Sequence, residues 1–435
     1  DVTTRDELLQ KSLAGKADKR INEIVATIQE EQNKVIRADL KKPMIVQGVA
    51  GSGKTTIALH RLSYFIYNFG EIVPADKLMI LAPNKMFIHY IAEALPELGV
   101  EKINQTTFSD YVMACIGKKL KLTDPYEKLK QLVDPTIKDK ETIKWVSSLK
   151  GSRQFEIIIK RYLKDIRNSF VPEQDLYIGN FKFYSFQKIK KLFIKDYKYL
   201  PFIQRKEKIN KLLKVEFKNK KKKILERLEE QFEENYDLIV ARYKDPDKRR
   251  KKVTKLIDNR DNRIKEVKSN TVKVVNDYMK LFPKKKAVDY YKELLTNSEL
   301  LEKYAREALT KDQITKITVY SNQLVKDNTL EMEDLAAILY IHTFIYGISD
   351  DLKMKNIVID EGQDYNLFQI RALIKANNTK LITILGDLAQ GIHGYRGTEN
   401  WNSIKKYALP KASYLTLQKS YRTTVEIMEL ANLVL

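Results

Sequence analysis

The residues Gly48-Val49-Ala50-Gly51-Ser52-Gly53-Lys54-Thr55 carry the most specific chemistry in the sequence. They fit G-x-x-x-x-G-K-[ST], a glycine-rich turn whose backbone N–H groups face phosphate oxygens where a helix begins. Gly48, Gly51, Ser52, Gly53, Lys54, Thr55 and the adjacent Thr56 are therefore candidate phosphate-binding residues. Lys54 would neutralise the β- and γ-phosphates, and Thr55 would hold Mg²⁺. A second segment, Ile357-Val358-Ile359-Asp360-Glu361, buries three apolar residues and then releases two carboxylates. Asp360 would bind the metal through water, and Glu361 would orient or deprotonate an attacking water. An acidic pair after a buried strand is common in isolation; a phosphate loop in the same chain gives it meaning. A third segment, Thr383 to Gln390, repeats the layout with an amide after a strand. Gln390 could sense the γ-phosphate or cap the next helix.

These residues need strands ending side by side, and the flanking sequence supplies them. Met44–Gln47 is a short apolar run ahead of the glycine-rich turn, and a helical pattern follows from Lys54 to about Tyr67. Lys77–Ala82 reads as a strand stopped by Pro83, then a helix to about Leu95. The alternation returns with strands at Asn356–Asp360, Leu381–Gly386 and Tyr414–Leu417. Helices are expected from about Leu367, near Trp401–Tyr407 and after the last strand. Apolar strands separated by helices call for an α/β fold with a parallel sheet covered on both faces.

The chain has 435 residues, with 79 Lys+Arg against 57 Asp+Glu, a formal net charge of +22. Such an excess points toward a polyanionic partner. Nearly all of it lies between Lys121 and Leu330. Cys115 stands alone, which excludes a disulfide framework within the sequence and any cysteine-built zinc site. The best apolar run, Leu335 to Ile348, is too short to span a bilayer. No signal peptide opens the sequence, so a cytoplasmic protein without a membrane or disulfide partner is expected. The sequence starts at Asp1 and stops inside an amphipathic pattern, Val425–Leu435, and reads as a piece of a longer protein.

The charge shift divides the chain into three: 1–124, 125–332 and 333–435. The middle part reads mostly as helix. Gln204 to Tyr243 carries apolar residues at helical spacing, Asp245-Pro246-Asp247 breaks it, and a second stretch runs to about Met279. An antiparallel helical hairpin is expected, bearing the basic clusters Lys220–Lys223 and Lys248–Lys252. Aromatics interleaved with lysine between Tyr177 and Phe202 fit core packing better than base stacking.

Taken in order, the motifs resemble those of the UvrD-like helicases of superfamily 1. Asp360-Glu361-Gly362-Gln363-Asp364 is similar to that family's D-E-x-Q-D box. Gly386-Asp387-Leu388-Ala389-Gln390 followed by Tyr395-Arg396-Gly397 is similar to its G-D-x-x-Q…W-R-G segment, and Leu417 to Thr423 to its L-x-x-[NS]-Y-R-[ST] motif. Ile28-Gln29-Glu30-Glu31-Gln32 resembles the Q motif. Within the family, the Glu23 to Gln29 phrase, Ile45-Val46-Gln47-Gly48, Ala82-Pro83-Asn84 and the large charged insertion are most similar to the HelD type, an RNA-polymerase-associated ATPase related to DNA helicase IV.

The resemblance implies a RecA-like, P-loop NTPase motor domain split by the insertion 125–332, with ATP and Mg²⁺ as ligands. It implies Gln32 and Tyr421 at adenine, Gln390 at the γ-phosphate and Arg422 as an arginine finger. It places Asn84 and Lys85 at a nucleic-acid backbone, where they could equally cap a helix. It also puts Tyr395, in place of tryptophan, at a base-stacking position. Further motor residues fall beyond Leu435, so slow ATP turnover and no unwinding are expected of this piece. Three readings result: an ATPase that releases or recycles core RNA polymerase, with DNA or RNA on the basic insertion; a DNA-translocating helicase; and a polymerase-binding module with ATP as a conformational effector.

Overall fold

The computed structural model describes residues 30–418 apart from 101 and 138. Two compact units emerge. One takes in the described residues up to Lys160, Ala287–Thr343 and the residues from Ile348 onward; the other takes in Arg161–Lys286 and Phe344–Gly347.

The first unit is built on a six-stranded sheet. Its strands are β1 (Met44–Gly48), β2 (Leu78–Leu81), β3 (Asn104–Thr106), β6 (Asn356–Ile359), β7 (Ile382–Gly386) and β8 (Ser413–Leu417). A separate pair, β4 (Leu176–Ile178) and β5 (Phe181–Tyr184), lies in the second unit. The sheet order is β3-β2-β6-β7-β1-β8, and every pairing is parallel. All residues of β2, β6 and β7 are buried, as a sheet covered on both faces requires. Parallel pairing brings the carboxyl ends of β1, β6 and β7 to one edge, with Gln47 opposite Gly386 and Ile359 opposite Ile384. Ligands of open α/β sheets bind at that edge.

Three helices of this unit adjoin β1 and β2 in sequence: α1 (Glu30–Arg37), α2 (Lys54–Phe69) and α3 (Lys85–Ala94). Val35 and Ile36 of α1 share one core with Ile57, Leu62 and Phe65 of α2 and with Val46 of β1.

The expected strands and helices of this unit appear within a residue or two of their predicted bounds. Strand β3 is an addition. Its residues, Asn104-Gln105-Thr106, are polar and only half-buried, so no apolar run marked it; Met79 to Leu81 hold it by parallel pairing. The expected final helix lies outside the described residues.

The second unit is helical around its β4–β5 hairpin. A 41-residue helix, Phe202–Arg242, is roughly 60 Å long at about 1.5 Å per residue. Asp245 accepts from the backbone N–H groups of Asp247 and Lys248 and so caps the helix Pro246–Ser269. The two run antiparallel: Lys221 reaches the carbonyls of Lys268 and Asn270, while Arg260 lies over the Phe232 ring. The second helix stops ten residues earlier than its apolar pattern implied, at Ser269. A separate helix, Lys273–Lys280, continues that pattern after a break at Asn270-Thr271. Phe170, Phe193, Phe202 and Phe282 form the core of the unit, with Phe170 stacked on Phe193 at 5.3 Å. Packing is thus what Phe193 and its buried neighbours do.

Most of the helical unit falls within the segment 125–332. Helices Pro125–Val133, Lys140–Gly151, Ala287–Thr296 and Lys311–Lys326 belong to the sheet-bearing unit. Two of their lysines, Lys128 and Lys150, are buried ion-pair partners. The apolar run at Leu335 lies in the 12-residue buried helix Asp334–Ile345. Among the described residues no helix is long and apolar enough to cross a membrane.

Candidate active site

The turn after β1 adopts the conformation its glycines permit. Gly51 and Gly53 have φ of 72° and 78°, in the left-handed region that side chains disfavour. Lys54 follows directly as the first residue of α2. It is buried, and its ammonium donates to the carbonyls of Gly48 at 3.0 Å and Val49 at 3.2 Å. The Ser52 hydroxyl is buried with no hydrogen-bond partner among the described residues.

The end of β6 meets this turn. Thr55 Oγ1 donates to Asp360 Oδ2 at 2.7 Å, joining residues 305 positions apart. Asp360 is 1% exposed, and burial pushes its carboxyl up to about 6; the hydrogen bond from Thr55 opposes that rise. The next residue, Glu361, has a φ of 50°, unusual for a side chain of its kind. That turn aims the Glu361 carboxylate into a cavity of about 450 Å³ that Lys54, Thr55, Thr56 and Gln390 also line.

Glu361 is held by Gln363 and Asp387, which the motifs contain but give no role, and behind them by Gln47 and Trp401. Gln363 Nε2 donates to Glu361 Oε2 at 2.8 Å, and Gln363 Oε1 accepts from the backbone N–H of Asp387 at 3.0 Å. Asp387 in turn accepts from Gln390 Nε2 at 2.6 Å and from Gln47 Nε2 at 2.8 Å. Gln47 Oε1 accepts from the Trp401 indole at 2.7 Å. An amide closing the buried strand Met44–Gly48 was the available signal for Gln47: a polar group there needs a partner. Its partner depends on β1 lying beside β7, which sequence order does not reveal.

Gly362 closes the same corner. A Cβ there would sit 2.2 Å from Ile384 Cγ2, inside the packed sheet. Gly362→Ala is therefore expected to lower stability by about 1–3 kcal/mol, the usual range for overpacking. A thermal melt of the variant coinciding with that of the parent would contradict the packing described.

Gln32 on α1 is buried beside the turn and donates to the Ser52 carbonyl at 3.2 Å. Asn84 caps α3, accepting from Met86 N at 3.0 Å and Phe87 N at 3.1 Å. Lys85 is exposed. Tyr395 is 6% exposed, its ring lies 5.7 Å from the Lys128 ammonium, and the His393 ring stands nearly perpendicular to it. Tyr421 and Arg422 lie outside the described residues.

A second cavity of about 400 Å³ adjoins the first, sharing Glu361 and Gln390. Asn84, Phe87, Thr107, Asp364 and Arg396 are on its wall. Burial pushes the Asp364 carboxyl up to about 6, with Arg396 pulling it down and Glu361 raising it.

Residues 28–408 match the UvrD/REP helicase N-terminal domain. The chain belongs to that family. Relatives agree: a "Probable DNA helicase II homolog" of Mycoplasma capricolum subsp. capricolum is 30% identical over 38% of this chain and 24% of its own length. The ATP-dependent DNA helicase PcrA of Staphylococcus epidermidis is 29% identical over 34% of the chain and 21% of its own. The ATP-dependent DNA helicase Rep of Buchnera aphidicola is 28% identical over 33% and 23%. The matched segments thus cover about a fifth to a quarter of these UvrD/REP-family relatives.

Proposed function

We propose that this UvrD/REP-family chain is the ATP-hydrolysing motor segment of a nucleic-acid-directed enzyme. The observation that carries this reading is the 2.7 Å contact between Thr55 and Asp360, which unites the phosphate loop with the acidic pair. The donor set suits magnesium: a hydroxyl and a buried carboxylate are hard oxygen ligands, and the unpartnered Ser52 hydroxyl adds a polar atom at the turn. Thr55 and Asp360 would hold the ion, whose charge would neutralise phosphate oxygens. Lys54 binds the phosphate tail through its ammonium, and backbone N–H groups of residues 51–55 orient it. Glu361, fixed by Gln363, takes a proton from the attacking water. Gln390, fixed by Asp387, faces the terminal phosphate. Gln32 reads adenine from α1. Tyr421 and Arg422 complete the site by resemblance, at adenine and at the charge that develops in hydrolysis.

We further propose that the segment 125–332 is an insertion in the motor domain, and that the whole protein uses ATP to remodel or release RNA polymerase in the HelD manner. Support comes from the long hairpin, whose helix Pro246–Ser269 carries Lys248 to Lys252 in its first two turns. Leu238 on the facing helix is 66% exposed and Tyr236 41%. A basic surface with apolar side chains suits nucleic acid together with protein. Translocation along DNA is the competing reading, favoured by the likeness to PcrA and Rep.

Two measurements separate them. ATPase stimulation by core RNA polymerase, and capture of polymerase lost on deleting residues 204–269, are expected of the first reading. Stimulation by single-stranded DNA alone, with no polymerase capture, would replace it with the second. Changing Lys248, Arg249, Arg250, Lys251 and Lys252 to glutamine is expected to weaken single-stranded nucleic-acid binding and flatten its dependence on salt, since fewer counterions are released. An unchanged salt slope would remove the hairpin from the interface.

A further inference from the structure

We infer that Arg61 is a positioning residue for nucleotide-base selection, acting through α1; the inference rests on the reading of Gln32 as the adenine contact. Arg61 lies on α2, seven residues after Lys54, and is 4% exposed. Its guanidinium gathers the end of α1. Nη1 donates to the carbonyls of Val35 at 2.8 Å, Ile36 at 3.1 Å and Ala38 at 2.9 Å, and Nη2 to that of Asp39 at 3.2 Å. The last carbonyls of a helix have no partner within it. Here one side chain from a neighbouring helix satisfies them and places positive charge at the negative end of the helix dipole. Burial draws the guanidinium down to about 10, and Asp39 opposes that, so the group stays charged near neutral pH.

The consequence lies in how α1 is held: its C-terminal end, Val35–Arg37, is fixed to α2 by both apolar packing and the Arg61 contacts. Its apolar anchors, Val35 and Ile36, fix which face looks inward. They define its position along its own axis only loosely, because apolar contacts lack direction. The four carbonyl contacts do have direction. Gln32 sits one turn before Ile36, so a shift of α1 along its axis carries Gln32 with it. Gln32 also meets the phosphate turn, through the Ser52 carbonyl. Arg61 thereby sets the distance between the amide that reads the base and the loop that holds the phosphates. Lysine cannot substitute, since three donors on a point charge do not reproduce a planar fork.

The test compares affinities for ATP, GTP and inorganic tripolyphosphate in the parent chain, Arg61→Lys, Arg61→Gln and Gln32→Ala. Ratios are read within each variant, so a general loss of stability cancels. Arg61→Lys and Arg61→Gln are expected to reduce the preference for ATP over GTP by about tenfold, equivalent to about 1.4 kcal/mol, with tripolyphosphate affinity within about twofold of the parent. Gln32→Ala is expected to do the same. If Gln32→Ala collapses the preference and both Arg61 variants keep it, Arg61 has no positioning role. If Gln32→Ala leaves the preference intact, the adenine assignment itself fails. An equal loss for ATP and tripolyphosphate in the Arg61 variants overturns the inference in favour of a purely structural contact.

Discussion

Glu361→Gln is expected to lower kcat for ATP hydrolysis by about 10²–10⁴-fold, the range a positioned general base contributes, while leaving nucleotide affinity close to that of the parent. The amide has the shape of the carboxylate and retains an oxygen for Gln363 Nε2, now 2.8 Å away. It cannot accept the proton of the attacking water. The left-handed backbone at this position, with its φ of 50°, costs about 1–3 kcal/mol. Both side chains bear that cost equally, so the comparison isolates the proton transfer. Asp360 cannot readily take over: it is 1% exposed and engaged by Thr55 and by the backbone N–H of Glu361. Single-turnover hydrolysis in saturating ATP separates chemistry from binding. A rate within threefold of the parent would hand the base role to another group, with Asp364 on the wall of the neighbouring cavity next in line.

The parts of this site that were legible in the sequence share one property: each is written in consecutive residues. The phosphate loop needs its glycines, Lys54 and Thr55 in unbroken order. The strands β2, β6 and β7 are buried on both faces and so read as plain apolar runs. What could not be read is what depends on neighbours in space. Gln47, Gln363 and Asp387 form one chain of hydrogen bonds only because β1, β7 and the turn after β6 converge. The edge strand β3 was invisible because it contributes half-buried polar residues. The Lys128 ammonium that lies over the Tyr395 ring comes from 267 positions earlier in the chain, so no local motif could reveal it. Lys128 and Lys150 likewise count as basic in the composition, yet both are buried against carboxylates that follow Leu330.

Lys150 shows how far the burial of a lysine changes its meaning. Its ammonium is fully enclosed, 2.8 Å from Glu331 Oε2 and 2.7 Å from Asp334 Oδ1, with the Tyr320 ring 5.6 Å away. Lys128 meets Glu331 Oε1 at 2.7 Å and Glu333 Oε1 at 3.3 Å. The Tyr320 hydroxyl donates to Glu331, and the Tyr291 hydroxyl donates to Asp334. Two ammoniums thus answer three buried carboxylates. Lys150→Met keeps the bulk and removes the charge, leaving Asp334 without its cation. The expected cost is about 3–5 kcal/mol, as for other buried pairs broken on one side. Lys150→Met with Asp334→Asn should recover part of that loss, because the asparagine needs no counter-charge and still accepts from Tyr291.

The pH dependence provides an independent check. Burial would raise the Glu331 carboxyl, but Lys150 and Lys128 more than reverse it and hold the group well below the ordinary 4.5, at about 2. A carboxyl held lower in the folded protein contributes stability that is complete above its unfolded value. That contribution is lost as pH falls from about 4.5 through about 2. The Lys150→Met protein lacks much of this pull, and its unpaired carboxylates regain neutrality as acid is added. The gap between parent and variant in denaturant midpoint should therefore be widest near pH 7 and narrow by pH 3. Equal midpoints at pH 7 would mean that the buried cation is dispensable; a gap that widens in acid would mean that Glu331 is not the group Lys150 holds ionised.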